Sequence, residues 1–372
     1  MIDYKDLLQQ FDTKAPHFFT SQRSELAKAH TAWFQLLQGK SWQEIALDFS
    51  GVSQVTTWQG AIDHVQALGT VPFAYSVLGV DGSQVYADRH SGLPWSLITI
   101  AHICFSYTPQ SGNATFASTP ILIPEYQEPS ILDARRSLLE LQKGVGQMLV
   151  KQNDLPSRLL LFDGPLSPSL NSEGDATASQ QPFAELSVQY KAALQTCYEH
   201  KFLIAGYISA PRARELVRLL EAVLKHRDRK NQTDDFSAIS LEQLSDTDLV
   251  TLFLRPGFHS AWFANTTCPI DLEPPLRLYM TYLHVGSEIV RVELPYYLAA
   301  DPEKSSLILS IIIDQVKKGY GYPVVLAEAH EHAVVREADR QLFFQLAARK
   351  ASELGVFPCA SHKSLKKRFP LV

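Results

Sequence analysis

The run Val77-Leu-Gly-Val-Asp-Gly-Ser-Gln-Val-Tyr-Ala-Asp88 decides how this chain is read, because an apolar stretch meets a carboxylate and a glycine in its middle. Residues 72–80 are rich in Phe, Tyr, Val and Leu, which predicts a buried strand ending at Asp81. A second strand is expected over 84–90, a turn at Ser91-Gly92, and a third strand over Trp95–Tyr107. The expectation is an antiparallel meander whose first strand finishes on an acid. Taken alone, Asp81-Gly82 reads as an ordinary turn, since Asp-Gly is among the commonest turn dipeptides. A second copy of the arrangement changes that reading: Ser157-Arg-Leu-Leu-Leu-Phe-Asp163-Gly-Pro-Leu166 is again an apolar strand closing on Asp-Gly. If the two strands are neighbours, two carboxylates converge. Each then raises the other's pKa unless a cation lies between them, so the pair points to a hard divalent metal.

Composition sets the outer bounds. The 372 residues can bury a substantial core, and 45% hydrophobic with 20% charged residues describes a soluble globular chain. No run reaches membrane-spanning length, and Met1-Ile-Asp-Tyr-Lys-Asp6 lacks the features of a signal peptide, so no membrane association and a cytoplasmic location are expected. Cys104, Cys197, Cys268 and Cys359 are widely spaced, which argues against a zinc knuckle or a disulfide framework. A net charge of −5 gives no general signal for nucleic acid. Two local basic runs qualify, residues 225–230 and 362–368, but such a run is more often just a solvated face, so neither carries the case alone.

Three regions are expected: a helical N-terminal region over 1–70, a main α/β domain over 71–355 with a polar loop at 167–181, and a basic tail over 356–372. Within the first, 21–38 has helical spacing and Ser41-Trp-Gln-Glu44 resembles a capping box. The stretch 108–120, rich in Pro, Ser, Gly and Thr, reads as a loop. A helix over 129–151 carries an apolar stripe of Ile131, Leu138, Leu141, Val145 and Leu149, with Glu140 and Asp133 on its polar flank beside Arg136 and Lys143. Further on come a helix over 182–200, a strand over 201–208 containing Tyr207, and a helix from about Ser209 to Leu224. The start of that helix, with Arg212 and Arg214, is a candidate anion site or an ordinary helix beginning. Residues 231–246 read as loop-rich. Strands are expected over 259–265, 277–285 and 288–297, the last two joined through Gly286-Ser287. Helices follow over 301–318 and 325–354. The last contains Glu328, His330, His332 and Asp339; histidines two apart on a helix face different directions, and the spacing is not HExxH, so a zinc protease is not indicated.

The order of strand with Asp, two antiparallel partners, helix with Glu, strand with Asp and late His resembles the ribonuclease H-like fold: a mixed β-sheet flanked by helices, here following a helical N-terminus. VDGS at Asp81, LLFDGPL at Asp163, IAGYISAPR at Tyr207, TDLVTLFLRPGFHSAWF from Thr247, and GYPVVLAEAHEHAVV at His330 together resemble the NurA nuclease family over roughly residues 70–350. The resemblance implies a metal-dependent DNA nuclease, favouring Mn2+ or using Mg2+, with two ions. It implies 5′ to 3′ exonuclease and single-strand endonuclease action in double-strand-break end resection. It also implies a homodimer working on DNA with a HerA-type hexameric ATPase. Carried over, Asp81, Glu140, Asp163 and His330 are expected at the metal, with Asp133 a rival to Glu140 and His332 a rival to His330. Tyr207 is expected to orient phosphate or water. Oxygen donors with one histidine independently favour Mg2+ or Mn2+ over zinc. Two other classes stay open: a non-catalytic DNA- or ATPase-binding adaptor of the same fold, and an actin-like phosphotransferase, for which further glycine-rich phosphate loops would be expected.

Overall fold

The computed structural model describes residues 2–39, 61–88, 92–150, 157–167, 180–231 and 241–356. The capping-box sequence 41–44, most of the polar loop (168–179) and the basic tail from 357 lie outside these, as do the side chains of 226–230. In chain order the elements are α1 (Tyr4–Gly39), β1 (Val65–Ala67), β2 (Tyr75–Val85), β3 (Ser96–Tyr107), β4 (Gly112–Ile123), α2 (Pro129–Val150) and β5 (Arg158–Asp163). Then come α3 (Gln180–Glu199), β6 (Leu203–Ile208), α4 (Glu215–Asn231), α5 (Asp246–Val250), β7 (Phe258–Ser260), β8 (Phe263–Ala264), a single 3-10 turn (Pro274–Leu276), β9 (Leu278–His284) and β10 (Ile289–Pro295). The chain ends in α6 (Tyr296–Ala299), α7 (Pro302–Lys318), α8 (Val324–Ala333) and α9 (Glu337–Glu353). No helix among the described residues is long and apolar enough to cross a membrane.

The chain forms two compact units. One comprises Met1–Leu68, Ile208–Thr267 and Tyr279–Glu293. Its strands run in the order β1-β7-β9-β10, with β8 also on β9. The strand expected over 259–265 is two short pieces, while the hairpin through Gly286-Ser287 closes as read, with Gly286 at φ +105°. Trp33 of α1 stacks on Phe253 in its core. Much of the candidate anion site before α4 is engaged within the unit itself. Ser209 Oγ and the Ala210 N–H donate to the Glu288 carboxylate, and the Arg214 guanidinium donates to the carbonyls of Leu241 and Leu244.

The other unit, Gly69–Tyr207, Cys268–Leu278 and Leu294–Val372, carries the candidate site. Its strands lie in the order β6-β5-β2-β3-β4, with β5 parallel to both β2 and β6 and the β2-β3-β4 pairs antiparallel. This is the ribonuclease H-like arrangement. β2 and β5 read as unbroken apolar runs because both of their faces are covered. Helices α2 and α8 lie on opposite faces. A Cβ on Gly79 would meet the Val325 carbonyl of α8, whereas one on Gly82 would meet Glu140 and Arg136 of α2; residues three apart on a strand face opposite ways.

Three expectations are corrected here. Asp81-Gly82 is no turn: β2 runs straight through it, pairing Asp81 with Ala101 and Gly82 with Ile100, and ends at Val85, so only the first two residues of the strand expected over 84–90 are strand; residues 89–91 lie outside the described ones. Gly82 is small for reasons of space, since a Cβ there would stand 2.6 Å from Glu140 Oε1. The stretch 108–120 is largely strand, because β4 pairs with β3 along its whole length. It is an edge strand exposed on both faces, so it has no apolar alternation, and Pro120 is tolerated at the edge. Finally, the helix expected over 325–354 breaks after Ala333 and restarts at Glu337, where Asp339 caps the new helix.

The close approach of α8 gives a stability prediction. Gly79→Ala puts a methyl group 2.6 Å from the Val325 carbonyl oxygen, and backbone cannot step aside cheaply. Denaturant unfolding should show a loss of about 1–3 kcal/mol. An unchanged midpoint would mean that α8 is not held against β2.

Candidate active site

Parallel register places Val80 beside Phe162, so Asp81 and Asp163 follow side by side on adjacent strands. They also share a face. Phe162 points with Leu160 toward Gly144 of α2, and the next residue in a strand turns the other way, so Asp163 faces α8 as Asp81 does. There Asp81 Oδ2 meets His330 Nδ1 at 2.8 Å, while its Oδ1 accepts the Gly82 N–H at 2.8 Å. The His330 side chain is 58% exposed, so the ring is only partly covered.

Asp163 has a different partner. It accepts a hydrogen bond from the Tyr322 phenol, and although the residue is exposed at the strand end its pKa is raised, by desolvation from the surrounding protein first and further by the Asp81 charge, against the lowering effect of that hydrogen bond. The Tyr322 phenol is itself pushed far above the usual tyrosine range, by burial first and then by Asp163, so it stays protonated and donating. Tyr207, paired with Asp163 in register, is fully buried, and its ring stands edge-on to Tyr322 with centroids 5.5 Å apart. It braces Tyr322; the phenol that reaches the carboxylate is that of Tyr322.

Glu140 arrives from the opposite face. Helix α2 carries it to within reach of Gly82, 7% exposed, in an ion pair with Arg136 one turn earlier. Arg136 also donates to the Gly82 carbonyl, tying helix to strand. Glu140 is pushed up to about 8, mainly by burial, with the charges of Asp81 and Asp163 adding and Arg136 subtracting. Its rival Asp133 is engaged elsewhere, accepting from Gln84 Nε2 at 2.8 Å and the Tyr86 hydroxyl at 2.6 Å. His332 does not join the acids: its ring stacks on Phe116, with centroids 4.5 Å apart and planes 11° off parallel.

Where β5 stops after Asp163, a cavity of about 130 Å³ opens, with Glu140, Asp163, Arg136 and Tyr190 on its wall. Among the described residues, no three His, Cys, Asp or Glu side chains stand close enough together to grip one ion as placed. The donor chemistry nevertheless fits a hard divalent cation. Three carboxylates lie within electrostatic reach, two of them with raised pKa values caused in part by their neighbours, which is the charge surplus a cation relieves. Arg136 and Tyr322 were not identified as site residues from sequence. For Arg136 the signal available was its spacing four residues before Glu140; for Tyr322 only the fold supplies it.

Comparison with known proteins agrees with this topology. The NurA nuclease from Sulfolobus solfataricus has a similar structure, with a TM-score of 0.55 at 12% identity, over 95% of this chain and 98% of that one. A NurA with manganese covers 88% of this chain and 96% of that one at 12% identity, with a TM-score of 0.41. A NurA bound to dAMP and manganese covers 76% and 90% at 15% identity, with a TM-score of 0.37. Comparison with curated proteins gave no match. The NurA domain matches residues 75–335, the stretch from the first residue of β2 to just past α8 that holds Asp81, Asp133, Glu140 and Asp163, and the chain belongs to that family.

Proposed function

We propose that this protein is a metal-dependent deoxyribonuclease whose centre is formed by Asp81, Asp163 and Glu140 with His330. The observation that carries the reading is the placement of Asp81 and Asp163 side by side on one face of adjacent parallel strands. Those two carboxylates and Glu140 would hold Mn2+ or Mg2+, two ions in the family pattern. Bound there, the metal supplies an acidified water and charge compensation for the departing oxygen of a phosphodiester. The protein's own groups do the rest. His330 Nδ1 fixes the Asp81 carboxylate, and its largely exposed ring would offer the other nitrogen to a phosphate oxygen or to water. Tyr322 holds Asp163 in one orientation, and Tyr207 holds Tyr322.

The finer assignment follows family likeness: 5′ to 3′ exonuclease and single-strand endonuclease action on DNA, as a homodimer in the cytoplasm, serving break-end resection with a HerA-type hexameric ATPase. Incubation with end-labelled DNA tests the core of it. Cleavage is expected with Mn2+ and none with excess chelator. An adaptor of the same fold would bind without cutting, and a phosphotransferase would turn over nucleotide while leaving the label intact; either outcome overturns the proposal.

A further inference from the structure

We propose that Phe116, backed by His332, is a stacking platform for a base of the nucleic-acid strand that would be cut at the Asp81 and Asp163 centre. The inference rests on the nuclease reading and deepens it. Register defines the geometry: Asp81 pairs with Ala101, and Ala101 with Ser118, so these three side chains share a face, and Phe116, two residues from Ser118, shares it too. The face is the one covered by α8, which supplies both His330 to Asp81 and His332 to Phe116.

Two strand spacings across and two residues along put the Cα of Phe116 roughly 12 Å from that of Asp81. A stacked strand advances about 3.4 Å per nucleotide, so the ring stands a few nucleotides from the candidate metal-binding acids.

Phe116 is 63% exposed although a nearly parallel imidazole covers one side. The apolar ring is thus held in place by His332 while much of it is left to solvent. The rest of β4 offers no charge: from Gly112 to Ile123 it holds only small, hydroxyl, amide and apolar side chains. An immobilised flat ring on an uncharged strand suits a nucleobase, which presents a π-face whatever its sequence. It does not suit the phosphate backbone, which would want cations.

The test uses the full chain in Ca2+ or chelator, with dye-labelled oligo(dT) read by fluorescence anisotropy. Phe116→Ala should weaken binding about ten- to hundredfold. In Mn2+ it should raise KM more than it lowers kcat. Phe116→Trp should retain affinity, and its indole fluorescence should be quenched as the oligonucleotide binds. Abasic residues placed one at a time along the oligonucleotide should find one position where wild type loses affinity and Phe116→Ala loses no more. Equal binding by wild type and folded Phe116→Ala, or no abasic position that separates them, overturns the platform while leaving the nuclease reading standing. A wild type that neither binds nor cuts DNA overturns both.

Discussion

Asp81→Asn and Asp163→Asn each lower Mn2+-dependent cleavage of end-labelled DNA by at least about 10²–10³-fold, while the folded protein survives. The substitutions keep shape and remove charge. At Asp81, an asparagine oxygen can still accept the Gly82 N–H, and His330 can adopt the tautomer that suits an amide. At Asp163, the oxygen can still accept from Tyr322. What neither variant retains is the negative charge that a divalent ion needs as ligand. Loss of one preorganised electrostatic group in a catalytic centre commonly costs two to three orders of magnitude, and loss of a direct ligand should cost no less. The measurement is initial rate at saturating Mn2+, alongside thermal unfolding to show that the fold is intact. Full activity in either folded variant would remove the two strand acids from the centre, and the proposed function with them.

The parts of the fold that showed in the sequence were those where burial leaves a mark. Leu159 to Phe162 and Val77 to Val80 are covered on both faces, so their apolar runs announced β5 and β2. The helix expected over 301–318 is α7, where Asp301 caps the N-terminus, Pro302 stands just inside and lysines precede Gly319. β4 left no such mark, because an edge strand bound by backbone hydrogen bonds to β3 requires no apolar pattern. Gly82 misled because one residue type serves two needs. A glycine beside an aspartate suggests a turn, whereas here it clears space for Glu140.

The candidate site was legible to a similar depth. The repeated Asp-Gly word marked Asp81 and Asp163 because both acids stand at the point where β5 ends beside β2. The burial of Glu140 was not legible: helical periodicity put it on a polar flank, and only the position of β2 turns that flank inward. The same holds for Tyr322, which reaches Asp163 from a loop whose course depends on α7 and α8 together. Periodicity reports which face of an element is apolar, and says nothing of which neighbour a polar side chain will meet.

Burial of Glu140 leads to the second large effect, a pH dependence of stability that metal should cancel. The carboxyl is pushed from 4.5 to about 8 in the folded protein, by burial first, so the folded state holds its proton more tightly than the unfolded chain does. The resulting stabilisation is complete below the unfolded value near 4.5 and is lost as pH rises through about 8. Each pKa unit is worth about 1.4 kcal/mol, so the metal-free protein should lose a few kcal/mol between pH 5 and 9 from this group. Glu140→Gln has no proton to lose there. In chelator, its melting temperature should therefore fall less than that of wild type over this range, by several degrees at pH 9. Arg136 remains tied to the Gly82 carbonyl in the variant and is partly solvated, which limits the cost of replacing the carboxyl beside it. Adding Mn2+ should raise the wild-type melting temperature most at pH 8–9, where an ionised Glu140 gains a cation, and raise that of Glu140→Gln less. Parallel pH profiles for the two proteins in chelator would show that Glu140 is not the buried, proton-holding acid described here. An equal Mn2+ response would show that it is no ligand.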